Sequence, residues 1–109
     1  MSLLALVALL AAPTAAPEAP PGLAFGHIRM QVFQHRAHEL HCPSAELDAQ
    51  FAAVTRRLRD RYGKKAFPDH KVPSGGAGEC WSVLSVYRVN LADFRKLAEA
   101  ALIPPAPRN

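Results

Sequence analysis

The chain lacks a membrane-spanning run. Its longest apolar stretch, Leu3 to Ala12, has ten residues, where a transmembrane helix requires roughly 20, and Pro13 and Pro17 block any helical extension of it. Small residues and prolines follow, which is the layout of a secretory signal peptide. Two usual features of such a signal are missing: no Lys or Arg precedes the run, and the small-residue cleavage candidates after Ala12 and Ala16 are each followed by proline. The expected organisation is a signal peptide and Pro/Ala leader over residues 1–22, one small globular domain over 23–103, and a flexible tail over 104–109. The expected location is periplasmic or extracellular, with no transmembrane segment in the mature chain.

Cysteine is scarce too, with only Cys42 and Cys80. In an oxidising compartment an even count reads as a disulfide, and two cysteines leave a single pairing, within one chain or between two. Closing a loop of this length stabilises a fold by about 4 kcal/mol in the chain-entropy model. That is comparable to the whole net stability of a domain of this size.

Charge of one sign is not dominant. Thirteen basic and nine acidic residues give +4, a mild excess that argues for solubility and attraction to anionic surfaces and against a dedicated polyanion binder. The excess is local: Arg56, Arg57, Arg59, Arg61, Lys64 and Lys65 lie within "TRRLRDRYGKK". They mark a candidate patch for an acidic protein or an anionic envelope surface. Aromatics interleaved for base stacking are lacking, so nucleic acid is not an expected partner.

Internal repeats are also absent. The clearest element is a helix in "PSAELDAQFAAVTRRLRDRYG", where Leu47, Phe51, Val54, Leu58 and Tyr62 form one apolar stripe. Ser44 is its candidate N-cap, the acidic Glu46 and Asp48 and the basic Arg59 and Arg61 complement its dipole, and Gly63 is the expected stop. "PSGGAG" from Pro73 is a loop.

Two other segments read in two ways. Trp81, Val83, Tyr87 and Val89 alternate like a strand, after which Asn90 would cap a helix with Phe94, Leu97, Ala98 and Ala101 inward; Leu84, Tyr87, Leu91, Phe94 and Ala98 also follow helical spacing. Ile28, Met30 and Val32 alternate likewise, against a helical stripe of Met30, Phe33, Ala37 and Leu40. Weak helix propensity over 81–89 favours the strands. The expected fold is therefore a small α+β domain in strand-helix-strand-helix order, with an all-α bundle as the alternative. Trp81 and Phe94 are expected core residues.

Three of the five histidines fall in "FQHRAHELHC". On a helix, His35, His38 and Cys42 would share a face and offer ligands to Zn or Cu. A disulfide removes that sulfur and leaves His35, His38 and His41 fanned over about 120° of helix surface, where two of them would need His27 or His70 to complete a site, and Pro43 disfavours helical conformation at Cys42. The letters "HELH" are not a zinc-protease motif, whose histidines stand four apart. No nucleophile and base stand out by spacing, so no catalytic residue is assigned and a small hydrolytic enzyme ranks last. The leading expectation is a small exported, non-catalytic binding protein without cofactor, and the alternative is a histidine-based Zn or Cu binder.

Overall fold

The structure, a computed structural model, describes residues 17–103. They fold into three helices, α1 (Pro21–Glu39), α2 (Ala45–Tyr62) and α3 (Cys80–Leu102), with a 3-10 turn at Lys64–Ala66. No strand occurs among the described residues. The α+β expectation is thus overturned and the all-helical alternative is the arrangement adopted. Residues 1–16 and 104–109, which hold most of the expected leader and the tail, lie outside the described residues, whereas Pro21 and Gly22 belong to α1.

The physical reason lies in what each pattern would bury. In α3, Tyr87, Leu91, Phe94 and Ala98 are all buried, while Trp81, Val86 and Val89 stay exposed. Burying one large apolar side chain is worth about 1.5–3 kcal/mol, against a few tenths of a kcal/mol per residue for helix propensity. The three-and-four stripe therefore wins over β preference. Trp81 is 74% exposed and so is not a core residue as expected; its indole N–H donates to Glu79 instead. Asn90, expected as a cap, sits inside α3 and donates to the Val86 carbonyl at 2.8 Å. Residues 28–32 are helical for the same reason, since Met30 turns inward and Ile28 outward.

Helix α2 follows its sequence closely. Leu47, Phe51, Val54 and Leu58 are buried, and Gly63 ends the helix at φ 93°, a left-handed backbone that glycine adopts without penalty. The Gly63 N–H closes the last turn on the Arg59 carbonyl. Ser44 precedes the first turn but donates its hydroxyl to Asp48 and makes no cap bond to the backbone.

Contacts along the helices fix the topology. Gln34 and His38 reach Asp48 while His27 reaches Thr55, so α1 and α2 are antiparallel. Tyr87 meets Asp48 and Tyr62 meets the Ala101 carbonyl, so α2 and α3 are parallel. A parallel pair needs a long return. Residues 63–79 supply it, descending beside α1 from Gln31 at Pro68, past Arg36 at Gly76, to Leu40 at Gly78. The Cys42–Cys80 disulfide, with Cα atoms 5.4 Å apart, joins the end of α1 to the start of α3 within one chain.

Candidate functional site

Helix α1 packs much more closely on α3 than on α2. Gly26 makes this approach possible: a Cβ there would stand 3.1 Å from Phe94 Cδ1. The consequence is a cleft on the other side, about 450 Å³ in volume, between α1, α2 and the chain that leaves α2. That volume falls within the range of small-molecule sites.

The floor of the cleft is set by a histidine in the core. His27 is 1% exposed, ringed by Phe51, Phe67 and Phe94 at centroid distances of 5.2, 5.5 and 6.2 Å. Its Nε2 pairs with the Thr55 hydroxyl at 3.1 Å, and its Nδ1 has no hydrogen-bond partner among the described residues. Burial, assisted by the Arg59 cation, pushes its pKa down to about 4, so the ring is neutral at pH 7.

One wall of the cleft is the return segment, which irregular backbone alone would not hold. Phe67, fully buried, plugs the end of the bundle against His27 and Tyr62. Arg59 donates to the Phe67 carbonyl from Nε and a terminal nitrogen, at 2.9 and 2.6 Å, and pairs with Asp69 at 3.1 Å. Gln31 donates to the Pro68 carbonyl and accepts from the His70 amide. These bonds strap residues 67–70 across α1 and α2.

At the opposite end of the same seam stands Asp48, which collects four donors. The His38 imidazole at 2.6 Å, the Tyr87 hydroxyl at 2.8 Å, the Ser44 hydroxyl at 3.0 Å and the Gln34 amide at 3.1 Å all point to its carboxylate. Burial by itself would raise the Asp48 pKa, but the hydrogen bonds from His38, Tyr87, Gln34 and Ser44 outweigh it and the net shift is downward. Tyr87 is shifted upward by burial and by its bond to Asp48. Asp48 therefore ties all three helices together and is a structural hub.

The histidine cluster is dispersed. His38 is committed to Asp48; His35 lies 3.4 Å from Glu39; and His41 is past the end of α1 with φ 55°. Cys42 is oxidised, so the compact set of His35, His38 and Cys42 does not form. A smaller cavity of about 190 Å³ is lined by His35, His38, Asp69 and His70. No group of three His, Cys, Asp or Glu among the described residues is placed to hold a metal ion.

The basic run is divided as well. Arg57 forms a two-pronged pair with Glu99 of α3, and Arg59 is consumed by the strap. Arg56, Arg61, Lys64 and Lys65 are exposed and pair with no described carboxylate. Of these, Arg56 and Lys64 stand on the rim of the large cleft with Asp60 between them in sequence.

Sequence reasoning missed Thr55 and Gln31, and it read Asp48 only as a complement to the helix dipole and His27 only as an additional metal ligand. A signal existed: Leu23, His27, Met30, Gln34 and Ala37 follow helical spacing. It was masked because the helix starts within the segment assigned to the leader. None of the known protein families, curated proteins or solved structures compared with this chain matches it.

Proposed function

We propose that this protein is a small exported, non-catalytic binding module that uses the basic end of α2 to engage an anionic envelope surface. The observation that carries this reading is the group Arg56, Arg61, Lys64 and Lys65, exposed at one end of the bundle and paired with no described carboxylate. Their cationic heads are available to a partner, unlike those of Arg57 and Arg59. The intrachain disulfide is compatible with an oxidising compartment. No helix among the described residues is long and apolar enough to cross a membrane.

The test is co-sedimentation of the protein with phosphatidylglycerol vesicles at low and high salt. Each basic residue near an anionic surface contributes about 1 kcal/mol, so the Arg61→Glu/Lys65→Glu variant is expected to bind at least about tenfold more weakly, and salt to weaken the wild type. Equal binding by variant and wild type would remove the reading.

A further inference from the structure

We infer that the outer face of α3, flanked by α1, is a homodimer interface whose occupant is a second copy of this chain, packed antiparallel about a two-fold axis. The interface uses none of the basic residues of the surface reading above and stands independently of it.

The first support is a second stripe on α3. The core takes Tyr87, Leu91, Phe94 and Ala98. One position back from these, Val83, Val86, Asn90, Asp93, Leu97 and Ala100 recur at intervals of three, four, three, four and three, which is the spacing of a coiled-coil seam. This stripe is turned about 100° from the core stripe. Helix α2 holds the other flank of α3, through Gln50 to Arg95 and Arg57 to Glu99, and so leaves the seam uncovered. Val86 and Leu97 are 43% and 57% exposed, and Phe25 of α1, next to the Gly26 that packs on Phe94, is 67% exposed. Large apolar side chains gathered on one face mark an interaction surface.

The second is that the stripe complements itself. Reversed about the point between Leu91 and Ala92, it sets Val83 against Ala100, Val86 against Leu97 and Asn90 against Asp93, each pairing occurring twice. Apolar meets apolar, and amide meets carboxylate. That is the self-complementarity an isologous two-fold interface requires. A parallel arrangement in register would set Asp93 against its own copy and is disfavoured by like charge. A polar residue such as Asn90 within a seam fixes the register.

The third is charge. Arg29 and Asp93 are exposed, and neither pairs with an opposite charge among the described residues. Arg29 lies over the Phe33 ring and donates to the Asn90 side chain at 3.5 Å, which stations its guanidinium at the level of Asn90. Antiparallel pairing opposes Asn90 to Asp93, so it brings each Arg29 to the Asp93 of the other copy. Two intermolecular ion pairs result.

The experiment is sedimentation equilibrium of the full chain at concentrations up to about 1 mM, with charge variants that separate this interface from any other association. The wild type is expected to reach the dimer mass. Arg29→Glu faces carboxylate with carboxylate and Asp93→Lys faces cation with cation, so each variant alone is expected to dimerise at least about tenfold more weakly. An equimolar mixture of the two restores an opposite-charge pair on both sides of the axis and is expected to recover the dimer. Leu97→Lys, at an exposed position, is expected to be monomeric with its cooperative thermal melt intact. A wild type that stays monomeric at about 1 mM, single variants that associate as the wild type does, or a mixture no better than its components would each overturn the interface. Association driven by the apolar run Leu3 to Ala12 would persist in both single variants, and that result also counts against it.

Discussion

The two sides of α1 are built on opposite principles. Toward α3 it presents Gly26 to Phe94, with the helices drawn together and clipped at one end by the disulfide. Toward α2 it presents His27, Gln31, Gln34 and His38, and the partner groups are Thr55, Asp48 and the backbone of the return segment. The first side holds the bundle. The second gives up apolar burial for polar contacts of modest net value, about 0.5–1.5 kcal/mol per hydrogen bond, and leaves a cleft.

The largest expected break falls on the closed side. Replacing both cysteines, as Cys42→Ser/Cys80→Ser, opens a loop of sequence separation 38 and is expected to lower unfolding stability by about 4 kcal/mol. Denaturant titration of the variant beside the oxidised wild type measures it. A change below about 1 kcal/mol would mean that apolar packing alone holds α1 on α3.

The next falls on the open side and depends on pH. His27 has its pKa pushed down from 6.5 to about 4 by burial, so between those values the unfolded chain binds a proton that the folded chain refuses. Stability is therefore full above pH 6.5 and declines as pH falls toward 4, by about 3 kcal/mol in total for this group. His27→Leu is expected to flatten that part of the profile. Stability curves of the two proteins between pH 4 and 7 that ran parallel would show the ring to be protonated in the fold.

A smaller effect sharpens the closed side. Gly26→Leu forces a side chain into the space of Phe94, where even a Cβ stands at 3.1 Å, and overpacking of this kind costs about 1–3 kcal/mol. Gly22→Leu meets nothing within 4 Å and is expected to leave the melting temperature unchanged or raised, through better helix propensity. Equal effects at the two glycines would mean that α1 and α3 are not in close contact.

How much of this was legible in the sequence varied with how cleanly each helix separates polar from apolar residues. Helix α2 does so, and Leu47, Phe51, Val54 and Leu58 together with the Gly63 stop were readable to the residue. The disulfide followed from cysteine count. Helix α3 carries β-branched residues on its exposed face, Val86 and Val89 among them, which imitated strand alternation. Helix α1 was hardest, because its inward face mixes Leu23, Met30 and Ala37 with His27 and Gln31 while Phe25 and Ile28 face outward. The polarity that hid α1 is the polarity that builds the cleft. Arg56 and Lys64 were recognised as part of a basic patch, but the use of Arg57 and Arg59 inside the fold depends on Glu99 and Asp69, distant in sequence and brought near only by the topology.

The most direct test of this division of labour is the double variant His27→Leu/Thr55→Val, measured for stability at pH 7 and at pH 5. Replacing both partners of a buried hydrogen bond by apolar groups of similar shape is close to neutral or stabilising. The expected denaturation midpoint at pH 7 is equal to or above that of the wild type, and the variant's advantage grows at pH 5, where the wild type loses stability because its buried His27 stays neutral while the unfolded chain takes up a proton. A variant that unfolds far more easily than the wild type at both pH values would show that the His27–Thr55 pair is needed to hold the fold.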